Sequence, residues 1–272
     1  VIMPKLLEAL GVTCYKIHSE PTGDFAHNPE PLPHHLKDLS SEVVARKATL
    51  GISVDPDVDR LALVCQDGSM FGEEYTLVAC ADYVLGKYAA QYPDKKLHTV
   101  SNLSSTRALK DITQRYNGSC SAAAVGEVNV VEEMKRTGSV IGGEGNGGVI
   151  LPSLHYGRDA LIGTALVLSL LAEKGQSMTG LRSSYPDYHM SKNRVDLKED
   201  MSLEDLSDRI IKAYPTATVN NRDGLRLDFE NEKKWVSLRK SNTEPILRIY
   251  SEAPDKTGAE SLASEIMSLL SL

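Results

Sequence analysis

The side chains best suited to chemistry stand in Asp55-Pro56-Asp57-Val58-Asp59-Arg60, directly after the apolar stretch Gly51 to Val54. Carboxylates at alternate positions of an extended strand share a face but lie too far apart to share an ion, so these three can converge on a hard divalent cation only where the chain turns. Pro56 helps to set such a turn. Three protein oxygens would leave an octahedral Mg²⁺ with open positions for water or phosphate oxygens, which makes Asp55, Asp57 and Asp59 candidate metal ligands. An EF-hand fits less well, because its glycine and its distant bidentate glutamate are out of register here. The competing reading is a solvated acidic turn before a hairpin.

A second stretch, Gly142-Gly143-Glu144-Gly145-Asn146-Gly147-Gly148, lets backbone come close to a ligand, and its only hydrogen-bonding side chains are Glu144 and Asn146. Carboxylate plus amide suits sugar hydroxyls better than phosphate, and the absence of a following Lys-Ser/Thr excludes a Walker loop. The competing reading is a flexible surface turn. A third stretch, Arg239-Lys240-Ser241-Asn242-Thr243-Glu244-Pro245, combines a guanidinium, two hydroxyls, an amide and the N–H groups of a tight loop into a phosphate cradle. A hairpin turn with solvated charges is the alternative. Together, cation, hydroxyl and phosphate sites in separate segments describe one ligand gripped from several sides, a sugar phosphate.

The elements that must position these loops restart twice along 272 residues, which gives three segments, 1–94, 95–189 and 190–272. The first reads as helix (Pro4 to Leu10), strand (Val12 to Ile17), helix (Leu36 to Lys47), strands Leu50 to Val54 and Leu61 to Cys65, and helix (Glu73 to Tyr92). The second opens with a strand from Leu97 to Ser101, a helix capped by Ser104 or Ser105, and a further strand and helix through Ser119 to Thr137. A short strand, Val140 to Ile141, then enters the glycine-dense loop, and an apolar helix follows Arg158. The third reads as helix Leu203 to Ala213, four strands near Thr216, Gly224, Trp235 and Ile246, and a final helix from Thr257. The fold class expected is α/β: two consecutive α/β domains with mixed sheets, followed by a small α+β C-terminal domain. Trp235 and the methionines read as core.

Composition narrows the class. With 41% hydrophobic and 25% charged residues the chain is globular, and its net charge of −7 gives no global positive field to hold nucleic acid or an anionic membrane. Cys14, Cys65, Cys80 and Cys120 form no CxxC pair, which disfavours a disulfide framework and a zinc cluster and points to a cytoplasmic location. The longest apolar run, Ala160 to Ala172, is shorter than the roughly 20 residues a membrane span needs.

The three loops, in this order, resemble those of the α-D-phosphohexomutases, the family of phosphoglucomutase, phosphomannomutase and phosphoglucosamine mutase, over nearly the whole chain. The resemblance implies an Mg²⁺ loop at Asp55, Asp57, Asp59 and Arg60, a sugar-reading loop at Glu144 and Asn146, and a phosphate loop at Arg239, Ser241, Asn242 and Thr243. It further implies phosphate transfer between the 1- and 6-positions of a hexose, through an enzyme phosphoserine and a hexose bisphosphate, with Arg60 positioning the reacting group.

Two departures from the family pattern stand out. No T-x-S-H-N-P stretch, the family's phosphoserine loop, occurs here; Ala26-His27-Asn28-Pro29 carries alanine at the nucleophile's place and reads as structural. The sequence therefore reads as a fragment lacking the phosphoserine domain, inactive alone. Val58 replaces a frequent glycine. His155, Tyr156 and Arg158 could line the cleft, yet Arg158-Asp159 also resembles ordinary helix-start chemistry, and Lys240 and Arg248 stay outside the first rank. Two other classes remain: a phosphohydrolase forming an aspartyl phosphate at Asp55, and a non-catalytic sugar-phosphate or metal-binding module. Glucose, mannose and glucosamine phosphates remain open as substrates.

Overall fold

The computed structural model describes residues 1–196, 203–241 and 244–270. Its first unit holds α1 (Ile2–Ala9), α2 (Lys37–Ala45) and an antiparallel hairpin of β1 (Leu50–Val54) and β2 (Leu61–Cys65). α2 lies so close over β1 that a Cβ on Gly51 would meet Val43 Cγ2 at 2.7 Å. The strand expected over Val12 to Ile17 is not formed. Its residues have local β-propensity but no ladder partner among the described residues, since β1 pairs with β2, and the other edge of β2 is met by the chain at Ser69 to Phe71.

The second unit runs α3 (Glu73–Gln91), β3 (His98–Asn102), α4 (Ala108–Arg115), β4 (Ser119–Ala123), α5 (Glu127–Thr137), β5 (Ile141–Glu144), β6 (Gly148–Ile150), α6 (Ala160–Lys174) and α7 (Met178–Ser183). Its mixed sheet has the order β4-β3-β5-β6, parallel except for the β5–β6 hairpin. β2 and α3 share one core with α4 and α6, through Leu61, Leu63, Leu77, Leu85, Ile112 and Val167. Two local expectations change. Neither Ser104 nor Ser105 caps α4, which starts at Ala108; Ser105 Oγ instead donates to Asn102 Oδ1 (2.9 Å) and accepts from the Gly145 N–H (2.9 Å). The strand expected to end at Ile141 continues to Glu144, so half of the glycine-dense stretch is ladder, with Glu144 opposite Gly148. Asp159 starts α6 as its cap, accepting from the N–H groups of Leu161 (2.7 Å) and Ile162 (3.1 Å).

The third unit is β7 (His189–Asp196), α8 (Leu203–Ala213), β8 (Thr218–Asn220), β9 (Leu225–Phe229), β10 (Lys234–Lys240), β11 (Ile246–Ala253) and α9 (Lys256–Leu269). The antiparallel sheet has the order β7-β11-β10-β9-β8, and β7 is an edge strand that the sequence reading did not contain. One face, with Leu227, Val236, Leu238, Leu247 and Ile249, packs on Ile210 of α8 and on Leu262 and Ile266 of α9. The other face meets the second unit: the Arg107 N–H donates to Glu252 Oε1 (2.9 Å), Arg226 donates to the Leu103 carbonyl, and Lys192 Nζ pairs with Glu73 (2.7 Å). Trp235 is fully buried on that polar side, under the Arg226 guanidinium, with its indole N–H on Glu252 Oε1 (2.8 Å). Among the described residues no helix is long and apolar enough to cross a membrane.

Candidate functional site

The β1–β2 connection turns at once, the Val58 N–H reaching the Asp55 carbonyl (3.1 Å), and Val58 takes a φ of 62°, a left-handed conformation that a β-branched residue adopts only under strain. That turn gathers one carboxylate oxygen from each of Asp55, Asp57 and Asp59 within 4.8 Å of one another. Oxygens around Mg²⁺ lie about 2 Å from the ion, so neighbouring ligands are separated by about 3 Å and opposite ones by about 4 Å. The three side chains therefore need close by no more than about 2 Å to hold the ion. Asp55 Oδ1 is already filled by the N–H groups of Asp59 and Arg60, both at 3.0 Å. Asp59 Oδ1 is buried and accepts no hydrogen bond among the described residues, an acceptor that a cation would satisfy. The donor set and this orphaned oxygen fit a hard divalent cation.

Charge is unevenly held in the loop. Burial works against ionised Asp55, but the Arg60 backbone N–H, the Asp59 side chain and the Arg60 guanidinium outweigh it and keep its carboxyl below the usual range. Burial, then the hydrogen bond with Asp55, pushes Asp59 up to about 6, while the Arg158 guanidinium pulls the other way. Arg60 Nε lies 3.0 Å from Asp55 Oδ2 and 3.7 Å from Asp59 Oδ1, and its Nη1 donates to Glu30 Oε1 (3.2 Å). Glu30 belongs to the Ala26-His27-Asn28-Pro29 loop, where Asn28 Oδ1 accepts the Glu30 N–H (2.9 Å) in an Asx turn.

Glu144 ends β5 and is 5% exposed. Its Oε1 accepts from Asn102 Nδ2 (2.8 Å) and the Gly126 N–H (3.1 Å), and its Oε2 accepts from Arg158 Nη1 (2.9 Å), which leaves one lone pair of Oε2 for a ligand. Asn146 Oδ1 takes the Gly148 N–H (3.2 Å), so the Asn146 amide can present its two N–H donors. The hairpin sits against the aspartate loop, with the Leu61 N–H donating to the Gly147 carbonyl (3.2 Å). Arg158 joins the two loops directly: its Nη2 donates to Asp59 Oδ2, and its Nε to Glu127 Oε2 (3.0 Å).

In the third loop, Arg239 Nε donates to Asp223 Oδ1 (3.0 Å), and Asp223 Oδ2 accepts the Val125 N–H (2.8 Å). The Ser241 N–H closes the loop on the Ile246 carbonyl (2.9 Å); Asn242 and Thr243 lie outside the described residues. Arg239, Arg248, Ser237 and Tyr250 line a cavity of about 60 Å³ whose opposite wall is Ser104 and Val125 of the second unit. A path of direct contacts thus runs from Asp59 through Arg158, Glu144, Gly126, Val125 and Asp223 to Arg239. A larger hollow of about 450 Å³, lined by Cys65, Thr179, Arg182 and Asp187, lies at the far end of β2 and contains none of these residues. His155 stays at the helix start, its Nε2 3.0 Å from Asp159 Oδ2 and half exposed.

Sequence reasoning left Arg158 between a place in the cleft and helix-start chemistry, and did not name Asn102, Glu127 or Asp223. Asn102 had a usable signal, because it stands at the carboxyl end of a parallel strand, where α/β sheets bind ligands.

The chain matches three family models in order: Phosphoglucomutase/phosphomannomutase, alpha/beta/alpha domain II, over residues 1–68; alpha/beta/alpha domain III, over 73–188; and the C-terminal domain, over 194–269. It is 32% identical to a probable phosphoglucosamine mutase of Pyrococcus abyssi, over 99% of this chain and 58% of that protein. The fold is similar to that of a phosphoglucomutase/phosphomannomutase family protein from Burkholderia thailandensis, with a TM-score of 0.84 and 24% identity, over 99% of this chain and 57% of that one. It is also similar, with a TM-score of 0.60 and 16% identity, over 80% of this chain and 51% of the other, to Aspergillus fumigatus N-acetylphosphoglucosamine mutase in complex with GlcNAc-6P and magnesium. The chain spans about 58% of the length of the curated relatives it matches.

Proposed function

Because the chain belongs to the phosphoglucomutase/phosphomannomutase family, we propose that it forms the cation, sugar and phosphate walls of a phosphohexomutase site interconverting hexose 1-phosphate and hexose 6-phosphate. The observation that supports this reading is the unbroken path of direct contacts from Asp59 to Arg239, which links the three loops.

In this reading Asp55, Asp57 and Asp59 hold Mg²⁺, the ion present in the Aspergillus mutase complex. When bound, the ion neutralises charge on the transferring phosphoryl group. Arg60 already approaches the aspartates through Nε, and its role is to orient the reacting group at the rim of that loop. The free lone pair of Glu144 Oε2 and the Asn146 amide protons meet sugar hydroxyls, which both orientations of a bisphosphorylated hexose can present to them. Arg239, Ser241, Asn242 and Thr243 hold the phosphate that is not reacting. The phosphoserine of the family's scheme has no matching T-x-S-H-N-P stretch among the 272 residues, so the chain alone binds hexose phosphate without isomerising it.

Calorimetric titration of the chain with glucose 1-phosphate, glucosamine 6-phosphate and mannose 6-phosphate, each with and without Mg²⁺, tests the reading. Binding of at least one, strengthened by the cation, is expected. Absence of binding for all three in both conditions refutes it.

A further inference from the structure

Arg158 is the one guanidinium among the described residues that spends Nε, Nη1 and Nη2 on three different carboxylates, and those carboxylates come from three different elements. Asp59 belongs to the β1–β2 loop, Glu127 to the first turn of α5, and Glu144 to the end of β5. The side chain is only 17% exposed, and its stem runs across the hairpin so closely that a Cβ on Gly148 would stand 2.3 Å from Arg158 Cδ. The arginine is therefore built into the hairpin and reaches out of it to the aspartate loop.

Resting on the reading above, we propose that Arg158 is a positioning residue that couples the cation site to the sugar-reading hairpin. A guanidinium is a flat, rigid fork, so its three N–H directions cannot change independently. By holding Asp59 Oδ2, Arg158 leaves Oδ1 as the oxygen offered to a cation, and Oδ1 is the one that is buried without a hydrogen bond. Any cation that draws Asp59 inward tilts the fork, and the tilt is felt at Glu144 Oε2, the only Glu144 oxygen with a lone pair left for a ligand. Glu144 cannot absorb the tilt by rotating, because Asn102 and the Gly126 N–H pin its other oxygen. Occupation of either site thus biases the geometry of the other, and such coupling is reciprocal.

Two titrations of the chain read the coupling: Mn²⁺ binding by electron paramagnetic resonance with and without saturating glucose 1-phosphate, and glucose 1-phosphate binding by calorimetry with and without Mn²⁺. In the parent each ligand is expected to tighten the other by the same factor, at least about fivefold. Part of that factor comes from direct contact between cation and phosphate and survives any change at position 158. In Arg158→Gln both ligands still bind and the factor falls to less than a third of the parent value. Arg158→Lys supplies one charge that cannot serve three carboxylates at once, and gives an intermediate factor. It also decides the matter if the glutamine variant does not fold by circular dichroism. Glu127→Gln, which removes the arm leading to neither site, leaves the factor unchanged. Equal factors in parent, lysine and glutamine proteins overturn the proposal while leaving the mutase reading intact. If the parent binds glucosamine 6-phosphate or mannose 6-phosphate in place of glucose 1-phosphate, the same titrations use that ligand; failure to bind any of the three overturns that reading, and the coupling with it.

Discussion

Glu74 offers a test of the electrostatics beneath the sugar hairpin that needs neither cation nor ligand. It stands in the first turn of α3 with its side chain 13% exposed, accepts the Thr106 N–H on Oε2 (2.9 Å), and has Lys192 Nζ 3.8 Å from Oε1. A Cβ on Gly145 would lie 1.9 Å from that same Oε2, so the carboxyl forms the floor of the hairpin. Burial pushes it up from 4.5 to about 8, against the pull of Lys192 and the Thr106 N–H. The folded pKa is thus raised, so the associated stability is complete below the unfolded value and is lost as pH rises toward about 8. At about 1.4 kcal/mol per unit, the loss between about pH 5 and about pH 8 comes to about 4 kcal/mol. Glu74→Gln keeps the acceptor for Thr106 and removes the ionisation. Scanning calorimetry across this range should show the parent losing about 4 kcal/mol more than the variant, with the curves diverging as pH rises. Parallel curves, or a variant less stable at every pH, would refute the reasoning.

Four further substitutions probe separate parts of the architecture. Gly147→Ala places a Cβ 2.2 Å from the Leu61 carbonyl at a φ of +84°, and should cost about 2 kcal/mol or more in thermal unfolding. Asp159→Ala removes the cap of α6 and should cost about 1 kcal/mol in the same assay. Asp57→Asn, at the exposed ligand position, should weaken Mn²⁺ binding about tenfold or more by paramagnetic resonance while leaving the melting temperature nearly unchanged. Asp223→Ala strips Arg239 and the Val125 N–H of their shared partner, and should destabilise the chain by about 2 kcal/mol and weaken glucose 1-phosphate binding by calorimetry. Unchanged glucose 1-phosphate affinity there would remove Arg239 from the phosphate wall.

The parts of the fold legible in the sequence are those decided by short-range pattern. β1 and β2 have the expected bounds, because each is a short apolar run closed by a turn or breaker. α6 was legible for the same reason, its apolar run being framed by Asp159 and Gly175. β7 was not, since His189–Asp196 is polar nearly throughout, and an edge strand needs only one neighbour and little apolar surface. Val12 to Ile17 failed in the opposite sense, with strand-like residues and no partner. Arg158 was hidden by distance: its three carboxylates lie 14, 31 and 99 residues away, and no local pattern records such a meeting.

The glycine-dense hairpin carries the sharpest lesson about reading sites from sequence. Its glycines suggest room for a ligand's backbone-close approach, yet all five are met by the protein itself: Gly142 by Met134 and the Val100 carbonyl, Gly143 by the Gly148 carbonyl, Gly145 by the Glu74 carboxyl, Gly147 by the Leu61 carbonyl, and Gly148 by the Arg158 stem. The last three are needed because α3, the start of β2 and the segment before α6 all converge on one turn, and each would clash with a Cβ there. Ligand reading is left to what projects from that packed turn, the remaining lone pair of Glu144 and the amide of Asn146. Glycine density at this place therefore marks how tightly three elements close behind the site. An alanine at position 147 should accordingly disturb cation binding as well as sugar binding, because the Leu61 carbonyl it strikes belongs to the strand that follows Asp59. Loss of sugar affinity alone, with the Mn²⁺ affinity intact, would show that the two loops are not held as one body.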